Sequence, residues 1–158
     1  MPLTPSWPYT NKTASTHTIT PVSIKPVTNY GPVVNTSDTY SAQNRTCPAG
    51  WGERITYTCK AIKKVNSLMV NYNPGKVPDG VQYGVRVDEA RRLTDDNGYV
   101  AYDEPIVMYL TVRHPLDGNI DNAVVTEVFN RLIGALQRDD GTYRFDDLMQ
   151  SALMPTTD

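Results

Sequence analysis

The stretch Glu104-Pro-Ile-Val-Met-Tyr-Leu-Thr-Val-Arg-His-Pro115 decides how this chain is read, because a strand pattern there runs straight into a helical one. In a strand, Ile106, Met108, Leu110 and Val112 share one side, and Val107, Tyr109, Thr111 and Arg113 share the other. Beyond Pro115, the residues Val124, Val125, Val128, Phe129, Leu132, Ile133 and Leu136 recur at the spacing of one broad apolar stripe. That spacing predicts a helix over 121–138, about 27 Å long. Asp117 or Asp121 can cap it, Arg138 sits in its closing turn, and Asp139-Asp-Gly141 stops it. A second helix, over 143–153, presents Phe145, Leu148, Met149, Ala152 and Leu153 before Pro155. The chain is therefore α+β, with strands to about residue 115 and helices after it. Two terminal helices with apolar stripes must cover one face of a sheet, which leaves the other face for a partner.

Working backwards, Thr94-Asp-Asp-Asn-Gly98 is a hairpin loop, since Asn-Gly suits the positive φ of a tight turn. Before it, 83–92 alternates: Tyr83, Val85 and Val87 oppose Gly84, Arg86 and Asp88. The run 54–62 alternates as well, with Ile55, Tyr57, Cys59 and Ala61 opposing Arg54, Thr56, Thr58 and Lys60. Residues 68–72 extend or branch this pairing, between turns at Asn73-Pro-Gly75 and Pro78-Asp-Gly80. Further upstream, 17–24 reads as an edge strand that tolerates Pro21. A further strand is expected near 30–35, and a turn-rich loop over 44–52. Residues 1–16, rich in Pro, Thr and Ser, read as an extended arm preceding a single domain over 17–158.

Composition narrows the function. The chain has 158 residues, enough for one domain with a core, and its 12 prolines and 10 tyrosines favour strands and loops over a helical bundle. Its formal net charge of −2 means that any nucleic-acid role must rest on a local basic patch. Cys47 and Cys59 have no zinc-like spacing, which leaves buried free thiols or one bridge. No apolar run approaches the ~20 residues of a membrane span, and the first residues show no signal-peptide pattern. The sequons at Asn11, Asn35 and Asn44 then read as chance in an Asn- and Thr-rich segment.

The three strand parities combine into one expectation. Each strand has an apolar side that suits the helix stripes. The opposite sides gather Arg54, Thr56, Thr58, Lys60, Arg86, Tyr109, Thr111 and Arg113 against the single acid Asp88. Cations can contact phosphates, hydroxyls can bond to base edges, and tyrosine can stack on an unpaired base. A solvated sheet face with the polarity usual for antiparallel sheets accounts for the same pattern.

These segments resemble the coat proteins of single-stranded RNA bacteriophages, the leviviruses. Arg54-Ile-Thr-Tyr-Thr-Cys-Lys60 is similar to the family's strand with a polar side that meets RNA, and Tyr83-Gly-Val-Arg-Val-Asp88 to the strand that follows it. The order of elements over 17–154 is also similar. The resemblance implies an N-terminal hairpin and an antiparallel five-stranded sheet, with dimers forming one continuous ten-stranded sheet. Each chain's helices would lie across its partner's strands through Val125, Val128, Phe129, Leu132, Ile133, Leu136 and Leu148. It further implies an icosahedral shell with its polar face inward, packaging of genomic RNA, and repression of translation through an RNA hairpin. The loop over 94–103, with Asp95, Asp96, Asn97 and Gly98, would sit at symmetry axes between dimers. The expected location is the virion, assembled in the bacterial cytoplasm, with no cofactor or metal. Gly84 departs from a threonine that lines an adenine pocket in the family, and Val107 from a base-stacking tyrosine.

Two alternatives remain. A secreted or surface β-domain would bridge Cys47 to Cys59. A small enzyme would have to work with His17 and His114, neither in a triad or metal spacing, and the paired aspartates are explained by turns and capping. Neither a P-loop nor a nucleophile elbow is present.

Overall fold

The computed structural model describes residues 30–47, 53–65, 79–138 and 140–150. The arm over 1–16, the strand expected over 17–24, the segment 68–72 and the end of the second helix lie outside them. The described sheet contains β1 (Tyr30–Asn35), β2 (Thr39–Asn44), β3 (Arg54–Ile62), β4 (Gly80–Thr94) and β5 (Val100–Pro115). It is a five-stranded antiparallel meander in the order β1-β2-β3-β4-β5. Two helices follow, α1 (Asn122–Leu136) and α2 (Phe145–Met149). The chain divides into two compact units: Ser23–Leu116 holds the sheet, and both helices belong to the other.

β2 was not expected. Asn35-Thr-Ser-Asp38 makes a tight turn, in which the Thr36 hydroxyl donates to Asp38 and its amide to the Thr39 carbonyl at 2.8 Å. The chain then returns along β1. The first hairpin is fastened to β3 through Glu53, whose carboxylate accepts from the Tyr30 hydroxyl and, at 2.8 Å, from Asn44 Nδ2. Tyr30, Ala42 and Ile55 are the buried hydrophobic residues of the described chain, with Tyr40 and Val85 packed against them. All five lie on one side of the sheet, as their cross-strand partners require.

Burial and the bond to Glu53 push the Tyr30 phenol well above its ordinary value. A folded-state pKa raised in this way gives stability that is complete below about pH 10 and falls as pH rises past it. Thermal melts should therefore show an extra loss above pH 10 that Tyr30→Phe removes. An identical alkaline profile in the two proteins would contradict this linkage.

β4 and β5 run longer than their alternation suggested, over 15 and 16 residues. β3 pairs only as far as Asp88, so residues 89–94 and 100–106 project past it as a two-stranded ribbon, about 20 Å long. The tip is tightly tied. The Asp95 amide donates to the Tyr99 carbonyl at 2.8 Å, and Gly98 donates to the Asp95 carbonyl at 2.9 Å. The Asp95 carboxylate accepts from the amides of Asn97 and Tyr99. Gly98 has φ 81°, a backbone state for which glycine is suited.

In the helical unit the cap is Asp121, whose carboxylate accepts from the Val124 amide at 3.0 Å. Asp117 instead closes a turn on Asn119. Asp121→Ala should cost about 1 kcal/mol in a denaturant or thermal titration, the usual worth of such a cap; no change would mean the cap is dispensable. The helix stops at Leu136, before the expected Arg138, because Gln137 turns extended and bridges Tyr143. Arg138 braces this turn, donating to the carboxylates of Asp146 and Asp147 at 2.7 and 2.8 Å. That pairing raises the Arg138 pKa and lowers that of Asp146.

Candidate nucleic-acid interface

The cross-strand register converts the expected polar face into rows. Gln43, Arg54, Asp88 and Val107 lie side by side across β2 to β5. Next come Ser41, Thr56, Arg86 and Tyr109, then Thr39, Thr58, Gly84 and Thr111. Lys60, Gln82 and Arg113 form the last row. Directly opposed residues of an antiparallel pair project to the same side. All eight expected residues, Arg54, Thr56, Thr58, Lys60, Arg86, Tyr109, Thr111 and Arg113, are thus brought together on one face.

Their chemistry is not uniform. Arg86 is already engaged: its Nε and Nη2 grip the Asp88 carboxylate at 2.6 to 3.0 Å, and the pairing raises the arginine's pKa. Arg86 thus carries an ion pair with Asp88 on the same face while its side chain stays half-exposed. The pair leaves Arg54, Lys60 and Arg113 as the cations of these rows without an ion pair among the described residues. Thr56 shares its hydroxyl with the buried Ser41 at 3.1 Å, so the exposed hydroxyls are those of Thr58 and Thr111. Tyr109 is 73% exposed, with its ring open to stacking.

Gly84 is required by the backbone. A Cβ there would run into the Leu110 carbonyl oxygen on β5, so a threonine cannot be placed at this position without moving a strand.

Sequence reasoning missed Arg45. A Cβ on Gly31 would overlap the Arg45 guanidinium, and Gly31 is opposed to Gln43 on the polar face. The arginine therefore lies over that face beside β1. The alternation Thr39, Ser41, Gln43, Arg45 would have revealed it, had β2 been recognised.

The opposite face carries Ala42, Ile55, Val87 and Met108 in one row and Tyr40, Tyr57, Val85 and Leu110 in the next. On this face Ala42 and Ile55 are buried, Tyr40, Val85, Val87 and Leu110 are half-buried, and Tyr57, Ile106 and Met108 are exposed. His114 lies on this face, edge-on to Tyr83 at 5.5 Å. Cys47 and Cys59 are free, and Cys59 is exposed rather than buried. On α1 no residue is buried, and the stripe residues Val128, Phe129 and Leu132 are exposed, as are Phe145 and Leu148 on α2. No described helix is long and apolar enough to cross a membrane.

No protein-family model matches the sequence, and no curated protein matches it either. Solved structures do. A chain of the virus-like particle of bacteriophage AVE015 superposes with a TM-score of 0.74 at 21% identity, over 92% of this chain and 99% of that one. A chain of the virus-like particle of bacteriophage GQ-112 gives 0.67 at 12% identity, over 92% and 93%. The five-stranded meander with its terminal helices is the fold of these bacteriophage particle chains.

Proposed function

We propose that this chain is the coat subunit of an RNA bacteriophage. It dimerises, assembles into an icosahedral shell in the bacterial cytoplasm, and packages single-stranded RNA against its polar sheet face. The observation that carries the reading is the gathering of Arg54, Lys60, Arg113, Tyr109, Thr58 and Thr111 on one face by the strand register.

Three further features support it. Among the described residues only Tyr30, Ala42 and Ile55 are buried hydrophobics, a small core for a sheet of five strands. The exposed apolar residues Tyr57, Ile106 and Met108 of the sheet and Val128, Phe129 and Leu132 of α1 have the character of subunit interfaces. The fold is shared with chains of bacteriophage virus-like particles. In this reading Val125, Val128, Phe129, Leu132, Ile133, Leu136 and Leu148 pack across the partner's strands. The hairpin tip at Asp95, Asp96, Asn97 and Gly98 meets neighbouring dimers.

RNA is held chiefly through phosphates. The engaged Arg86 and the bare backbone at Gly84 favour packaging over a pocket for one operator hairpin. Expression in bacteria followed by nuclease treatment and sedimentation tests the proposal. Fast-sedimenting particles carrying nuclease-resistant RNA are expected. Particles without RNA would remove the packaging role, and slowly sedimenting protein free of RNA would remove the coat role as well.

A further inference from the structure

The turn that ends β2 holds one arginine in a defined place. The Asn44 side-chain oxygen accepts from the Thr46 amide and hydroxyl at 2.9 and 2.7 Å, while its Nδ2 donates to Glu53 at 2.8 Å. The Asn44 amide also donates to the Glu53 carbonyl at 2.8 Å. Arg45 stands between two residues tied in this way, so its backbone has little freedom. Its side chain turns back over β1, where Nε, Cζ and Nη2 take up the space that a side chain at Gly31 would fill. Gly31 is buried and Arg45 is exposed. The guanidinium therefore rests on the glycine and keeps its outer side in water.

No carboxylate of the described chain claims it. Arg45 forms no ion pair among the described residues. Glu53, the acid tied to this turn, is engaged by Tyr30 and Asn44 on the side of the sheet that carries Ala42 and Ile55. On the polar side, Gly31 begins the row that continues through Gln43, Arg54 and Asp88. The Asp88 carboxylate is gripped by Arg86. Arg45 over β1 and Arg54 on β3 are thus cations on strands about 10 Å apart, with Gln43 between them. Two like charges gathered in this way draw an anion from outside. An exposed arginine without a partner ordinarily samples many rotamers. Resting on Gly31 narrows them, which lowers the ordering cost when an anion binds.

We propose that Arg45, held on Gly31, is a further phosphate contact, so that RNA on the polar face runs on from Arg54 to the β1 edge of the sheet. This rests on the RNA-packaging reading and extends its site onto the first hairpin. Gly31 acts as a positioning residue, by leaving the guanidinium its place. It lacks the positive φ of Gly98, so the site uses its missing side chain and not its backbone freedom.

Filter binding of polyuridylate across a salt series tests the proposal. Arg45→Gln should lower the slope of log affinity against log salt by ~0.7, the change expected for one single-strand phosphate contact. A fourfold rise in salt then weakens this variant about 2.5-fold less than the native chain. Gly31→Ala should lower the slope as well, although it removes no charge, because its Cβ meets the guanidinium and pushes it off β1. The group displaced is the far end of a flexible side chain, so particle yield and thermal melting should stay native. The double variant should bind no more weakly than Arg45→Gln alone, since both changes act through one guanidinium.

An unchanged slope in Arg45→Gln would overturn the contact, whatever Gly31→Ala does. Losses that add in the double variant would overturn the positioning role of Gly31. A chain with Arg54→Gln, Lys60→Gln and Arg113→Gln separates this proposal from the reading beneath it. A lowered slope there, beside an unchanged one in Arg45→Gln, removes Arg45 from the site and keeps the RNA face. Native slopes in both remove the face itself.

Discussion

Replacing Phe129 and Leu132 together by aspartate should abolish assembly and leave a soluble, slowly sedimenting protein. The two side chains stand one turn apart on α1 and are 41% and 46% exposed in the single chain. In an assembled dimer each would be covered. Burial of such a side chain is worth about 1.5–3 kcal/mol, and two copies of two residues multiply that at a single interface. Aspartate forfeits the gain and adds the cost of desolvating a carboxylate. The helix itself loses little, because aspartate lowers intrinsic propensity by only about 0.5 kcal/mol relative to good helix formers. Circular dichroism should therefore show retained helix while sedimentation shows lost particles. Wild-type particle yield from the double variant would mean that this stripe faces solvent in the assembly.

The second large effect concerns charge. Arg54→Gln, Lys60→Gln and Arg113→Gln in one chain remove the cations of the polar rows that have no ion pair among the described residues. If each meets a phosphate, the slope of log affinity against log salt for single-stranded RNA should fall by ~0.7 per residue, or about 2 in all. Asp88→Asn should move the slope in the opposite direction, because it releases the Arg86 guanidinium from its carboxylate. Filter binding across a salt series reads both. Unchanged slopes in the triple variant would return the face to an ordinary solvated sheet surface, and a reduced slope in Asp88→Asn would show that the ion pair itself is what RNA meets.

The parity of β3, β4 and β5 was legible because each strand alternates over many residues, so the eight polar-face positions could be read before their register was known. The register itself was not legible, and it is what places Tyr109 directly across from Arg86. β2 escaped because Tyr40 and Ala42 are its only apolar residues, and Thr39, Ser41 and Gln43 resemble loop composition. Arg45 was lost with it. The helix stripe was plain in the sequence, but its end was not: Gln137 leaves the helix to bridge Tyr143, a contact that no local propensity encodes.

Electron microscopy of the chain expressed alone in bacteria tests the central claim most directly. Closed shells of uniform size are expected, with density for the sheet forming the shell floor and its Lys60, Tyr109 and Arg113 face turned toward an RNA-filled interior. Dispersed monomers, or shells with that face on the outside, would contradict the account.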